Sequence, residues 1–76
     1  MATYFTIHDK MNPGSANGRL VAICHSERQA FDCYKRILNT GMGMNYIVLE
    51  RVDTNNIGLV VGRIVLAEDW VRFENY

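Results

Sequence analysis

The sequence predicts a small α+β domain: an antiparallel β-sheet of about five strands, in the order β-β-α-β-β-β, with one helix packed on one face. Three observations lead there. One stretch, from Ser26 to about Asn39, spaces its apolar residues with helical period. Five other stretches alternate with period two or run rich in Val, Ile and Leu. And 76 residues leave room for a single small core, since a chain of this length buries only about 60% of the surface it exposes when unfolded. Residues 1–76 are therefore read as one domain.

Thr3 to His8 alternates, with Phe5 and Ile7 on one side and Tyr4, Thr6 and His8 on the other, as in a half-buried strand. Asp9 to Gly18 holds Asn12-Pro13-Gly14-Ser15 and Asn17-Gly18, two turn signals in a loop long for a hairpin. Arg19 to His25 is the second strand. Simple alternation puts Leu20, Ala22 and Cys24 on one face and Arg19, Val21, Ile23 and His25 on the other.

Ser26-Glu27-Arg28-Gln29 is a capping box: the Ser hydroxyl can accept from the Gln29 amide, and Glu27 suits the positive end of the helix dipole. Ala30, Phe31, Cys33, Tyr34, Ile37 and Leu38 share one side of the helix that follows. Gly41 is placed to end it in the left-handed conformation. Tyr46 to Val52 is the third strand and 53–56 a polar turn. Ile57 to Leu66 is the fourth strand, with Gly58 and Gly62 as marks of bulge or bend. A turn at Ala67-Glu68-Asp69 leads to a last strand, Trp70 to Tyr76.

Composition restricts function. Eight Lys and Arg balance eight Asp and Glu, for a formal net charge of zero. Binding to duplex nucleic acid through phosphates needs a basic excess, and mimicry of DNA needs the reverse. No basic head precedes an apolar leader, and no apolar run approaches the ~18 residues of a membrane span. Cys24 and Cys33 are too few for a disulfide framework. Placed at a strand end and two turns into a helix, they read as reduced thiols badly positioned for a bridge. A cytoplasmic protein is expected.

Catalytic and metal chemistry find little support. If the first two strands pair as a hairpin, His8 lies near Arg19 or Leu20 and His25 near Thr3, roughly 17 Å apart. That is too far for one zinc or for a two-histidine nuclease. Gly41-Met42-Gly43 follows a helix and precedes a strand, the reverse of a phosphate loop. No catalytic residue, metal or cofactor is assigned.

The strongest signal is an imbalance. One helix covers one sheet face, yet the strands are apolar on both: Val21 and Ile23, Tyr46, Val48 and Val52, Leu59, Val61 and Val65, then Trp70 and Tyr76. Surplus apolar surface marks an interaction site, unless the sheet curls and buries it internally. Tyr4, Trp70, Arg72 and Tyr76 are the candidate anchors on the open face, flanked by His8 and Arg19; the Asp9–Gly18 loop is a second candidate surface. Two other readings of that face are a symmetric homodimer and a single-stranded nucleic-acid binder stacking bases on Tyr4, Trp70 and Tyr76. Zero net charge argues against the latter.

The helix opened by Ser26-Glu27-Arg28-Gln29-Ala30-Phe31 after two strands, with a closing meander through Asp69-Trp70-Val71-Arg72-Phe73, resembles the architecture of small inhibitors encoded by phages and mobile elements. Anti-CRISPR proteins directed at type I systems are similar in element order. The resemblance implies a non-enzymatic protein of the bacterial host cytoplasm that binds a Cas surveillance-complex subunit and blocks target-DNA binding or nuclease recruitment. It rests on element order, so it assigns no residue.

Overall fold

The computed structural model describes residues 2–41 and 43–72. They form β1 (Ala2–Lys10), β2 (Arg19–Cys24), α1 (Glu27–Thr40), β3 (Tyr46–Thr54) and β4 (Val60–Trp70). The sheet is antiparallel throughout, in the order β2-β1-β3-β4. β2 and β3 flank β1 and run parallel to each other, so α1 joins them by crossing over β1 on one side of the sheet. The molecule is a thin slab, 47 × 26 × 15 Å.

The helix starts where the capping box places it. Ser26 has extended backbone, and its Oγ accepts from the Gln29 amide at 3.1 Å. Ala30, Tyr34 and Leu38 are its buried stripe. They meet Phe5, Ile7, Ile47, Leu49 and Val71 in one core cluster. Gly41 ends the helix, but by another device than the one expected. Its φ is −76°, and its N–H donates to the Ile37 carbonyl. A Cβ there would stand 2.5 Å from that oxygen, so close approach, not left-handed backbone, demands glycine. Positive φ falls instead at Gly43.

Four strands, rather than five, are present among the described residues. The segment expected to turn at 67–69 continues as strand: Ala67 pairs with Leu49, Glu68 with Val48 and Asp69 with Ile47. The register slips between Leu49 and Glu50, making Leu66 an extra residue on β4. That bulge breaks the alternation and imitates a boundary in the sequence. β4 stops at Trp70; Val71 and Arg72 of the expected fifth strand are not in a strand, and its residues 73–76 lie outside the described residues. The β3–β4 turn falls later than expected. Asn55 closes it by accepting from Ile57 and Leu59 with its side chain, and Gly58 supplies a φ of +84°.

Cys24 and Cys33 are free and half-buried, both against the core cluster. Only His25 and Ser26 separate β2 from α1, so the helix folds straight back over β2. Burial, followed by the neighbouring Cys33, pushes the Cys24 thiol above its ordinary pKa.

Candidate interaction surface

Residues directly opposite in an antiparallel sheet point to the same side, so the register sorts every strand residue onto a face. Under the helix run the rows Cys24–Phe5–Arg51–Ile64, Ala22–Ile7–Leu49–Ala67 and Arg19–Asp9–Ile47–Asp69. The opposite face carries Ile23–Thr6–Glu50–Val65, Leu20–His8–Val48–Glu68, Lys10–Tyr46–Trp70 and Tyr4–Val52–Arg63.

This second face is unevenly covered. Its middle strands are sealed: Thr6, Tyr46, Val48 and Thr54 are buried, and Val52 is fully so. Its outer strands are not. Leu20 and Ile23 on β2 are 49% and 53% exposed, and Val65 and Trp70 on β4 are each 49% exposed. No helix lies here, so the lid over the centre is made of neighbouring side chains. Arg63, opposite Val52, reaches diagonally to Glu50 at 3.8 Å and carries its stem past the valine. Trp70 stands edge-to-face against Tyr46, with ring centroids 5.2 Å apart. The Tyr46 hydroxyl donates to Glu68. That hydrogen bond first, then burial and the Glu68 charge, pushes the phenol up to about 12. Thr6 Oγ1 and His8 Nδ1 point into the same face and are shut off from solvent with no hydrogen-bond partner among the described residues.

The structure places three of the six sequence-chosen residues on one face, with Tyr4 opposite Val52 at one end and Trp70 opposite Tyr46 at the other. Tyr4, His8 and Trp70 share the helix-free face. Arg19 and Arg72 do not. A bulge between Ile7 and His8 makes Val21 the extra residue, which shifts the phase of β2 and exchanges Arg19 for Leu20 on this face. Arg19 instead pairs with Asp9 at 3.3 Å on the helix side. Arg72 lies beyond β4, beside the last turn of α1: its N–H donates to the Leu38 carbonyl, and its guanidinium faces Asp69 at 3.6 Å. Tyr76 lies outside the described residues.

Sequence reasoning missed the weight of the outer strands. Of the ten large apolar side chains exposed among the described residues, seven lie between Ile57 and Trp70, which makes the β3–β4 hairpin the greasiest part of the surface. Among the described residues β4 is also a sheet edge of 11 residues, with no further strand paired to its outer side. The signal was available: four apolar residues in a row, Ile64 to Ala67 with Leu66 and Val65, fit no half-buried strand.

A notch of about 270 Å³ opens on the helix side, past the reach of α1, lined by Ala2, Thr3, Arg51, Asp53, Val61 and Gly62. Thr3 donates to Asp53 at 2.6 Å and Arg51 Nε approaches the same oxygen at 3.3 Å. These contacts hold the Asp53 carboxyl below its ordinary pKa against the opposing effect of burial. The carboxylate is engaged within the protein by Thr3 and Arg51. Among the described residues no three His, Cys, Asp or Glu gather as a metal site would require, and no helix is long and apolar enough to cross a membrane. Comparison with protein-family models, curated proteins and solved structures finds no match.

Proposed function

We propose that this protein acts by stoichiometric, non-enzymatic binding to another protein, through the helix-free face of its sheet and the adjoining β4 edge. The observation that carries this reading is the half-exposure of Leu20, Ile23, Val65 and Trp70 on one face, at both outer strands, around a sealed centre. Apolar side chains flanking a preformed platform match the anatomy of protein interfaces, in which a few aromatic and aliphatic anchors dominate affinity. Tyr4 and His8 border the same platform, and Trp70 is its aromatic anchor, fixed in place by Tyr46.

The partner class is suggested only by the resemblance of the element order expected from the sequence to that of small type I anti-CRISPR inhibitors, so a Cas surveillance-complex subunit is the first partner to test, in a bacterial cytoplasmic setting. The protein is titrated into a purified type I surveillance complex while target-DNA binding and nuclease recruitment are followed. Loss of either near one equivalent supports an inhibitor. Both steps proceeding unchanged at excess removes this partner and leaves the binding surface to be matched elsewhere. Native mass spectrometry at low micromolar concentration separates the homodimer reading. A monomer keeps the face available, whereas a dimer dissolved by Trp70→Asp would assign it to a second copy.

A further inference from the structure

We infer that the outer edge of β4 pairs antiparallel with β4 of a second copy, about a two-fold axis between Val65 and Leu66, joining two four-stranded sheets into one. The inference gives the edge part of the surface proposed above to this chain itself and leaves the helix-free face to the other partner. Among the described residues no strand is paired to the outer side of β4. The chain leaves β4 inward: the Val71 N–H donates to the Asn45 carbonyl and the Arg72 N–H to the Leu38 carbonyl. Val60, Val61, Ile64, Val65 and Trp70 along this edge strand are each between 44% and 59% exposed.

Charge decides which occupant fits. Arg63 lies near the start of β4, Glu68 and Asp69 lie near its end, and Ile64 to Ala67 between them are uncharged. An antiparallel copy sets Arg63 opposite Glu68 of the second copy and, by symmetry, Glu68 opposite its Arg63. Ile64 then meets Ala67, and Val65 meets Leu66. Opposite residues in an antiparallel pair must point to the same side. Arg63 and Glu68, opposite Val52 and Val48, both lie on the helix-free face. Ile64 and Ala67, opposite Arg51 and Leu49, both lie on the helix side, as do Gly62 and Asp69. This agreement depends on the bulge. Residues an odd number of positions apart point to opposite sides of a regular strand, and the extra residue Leu66 brings them to the same side. Placed beside the axis, the bulge interrupts the new ladder once and leaves each half in phase.

Both charges can serve the seam. The Arg63 side chain is 55% exposed and stands 3.8 Å from Glu50, and Glu68 accepts from Tyr46 through one of its two oxygens. The other edge lacks this match, since Arg19 is the one charged residue of β2 and is paired with Asp9. Parallel stacking of β4 would set Arg63 beside Arg63 and Glu68 beside Glu68. Nor does the helix obstruct the pairing. α1 packs chiefly on β1, β2 and β3, and the two β1 strands of the dimer stand about 24 Å apart, against a helix diameter of about 10 Å. The joined sheet carries both helix-free faces on one side, with Val65 and Trp70 of both copies at its centre.

Sedimentation equilibrium of the unaltered chain, from low to high micromolar concentration, should show a reversible dimer of twice the 8.7 kDa chain mass. Deuterium exchange should slow at β4 amides as the dimer fills, which reads the pairing without any variant. Arg63→Glu and Glu68→Arg should each raise the dimer dissociation constant about tenfold or more, because a like-charged pair then occurs twice across the axis. Mixing these two variants in equal amounts at physiological salt should restore a 1:1 heterodimer, since opposite charges meet again at both positions. Ile23→Asp, on β2 at the far side of the helix-free face, should leave the dimer constant within about twofold. That variant separates edge pairing from face-to-face pairing, and from the partner proposed above, whose binding it should impair. A chain that stays monomeric at high micromolar concentration, protection on dimerisation that falls outside β4, a dimer indifferent to both charge reversals, variants that fail to complement each other, or a dimer lost in Ile23→Asp would each overturn the inference.

Discussion

The two faces of the sheet share their central strands, yet they achieve burial by different means. Under α1, Ile7, Ile47 and Leu49 are covered by a second layer of structure, the Ala30–Tyr34–Leu38 stripe. On the other side Val48 and Val52 are just as inaccessible, but what covers them is one layer of side chains from the same sheet. The helix seals the part of its face that it spans, and beyond its reach Ile64 on β4 stays 54% exposed. Neighbouring side chains seal only the middle, and the outer strands are left with apolar groups half in water. That difference separates a folding core from a surface prepared for contact.

The largest effects should fall on the helix side. Leu49→Ala should lower unfolding free energy by about 3 kcal/mol in a urea titration, because α1 and the sheet cannot collapse fully around the gap. Val52→Ala removes an equally buried side chain from the other face and should cost roughly half as much, since Tyr4 and Arg63 can settle into the space. Equal losses would mean that both faces are rigid cores, and the contrast between them would disappear.

Next comes the turn that supports the greasy hairpin. Gly58→Ala should cost about 1 kcal/mol, from its φ of +84° alone, because nothing lies near enough to clash with the new methyl group. Smaller again, and of opposite sign, is Thr6→Val. The hydroxyl is buried without a partner among the described residues, so an isosteric methyl should leave stability unchanged or raise it by up to about 1 kcal/mol. A clear loss would reveal a hydrogen bond that this face depends on.

The effect on pH dependence is confined to alkaline solution. The Tyr46 phenol titrates higher in the folded chain than its ordinary value of 10.0, at about 12. The stability it contributes is therefore fully present below about pH 10 and is lost as pH rises toward about 12. Tyr34 and Cys24 are also shifted upward, chiefly by burial, and act with the same sign. Urea midpoints should fall between about pH 8 and about pH 11, and Tyr46→Phe should make that decline shallower. An identical decline in the variant would dissociate Tyr46 from Glu68.

Much of the fold could be read directly from the residues. Ser26 and Gln29 marked the start of the helix, its apolar stripe marked the core, and the alternation around Phe5 and Ile7 assigned β1 correctly. The surplus of apolar residues was legible too, and with it the existence of an uncovered face. What escaped was phase. Bulges at Val21 and Leu66, and a slip near Val61, each add one residue to a strand, and a single added residue moves every later side chain to the other face. Alternation alone thus placed Arg19 where Leu20 belongs and divided β4 in two. Bulges are set by pairing with a distant strand, which a local pattern does not contain. Arg72 was misplaced for a related reason: the chain leaves the sheet after Trp70 and is drawn to the helix by Leu38.

The central claim is that the helix-free face, not the helix or the notch, is where a partner binds. Three forms of the immobilised protein compared for capture of partner proteins from a bacterial lysate test it most directly: the unaltered chain, Ile23→Asp with Val65→Asp, and Lys35→Glu with Arg36→Glu on the solvent side of α1. All three should give the same circular dichroism spectrum, with the unaltered and helix-side forms retaining the same protein at near-equal stoichiometry and the Ile23/Val65 form losing it. Retention of that protein by the Ile23/Val65 form, or its loss only from the helix-side form, would contradict the account.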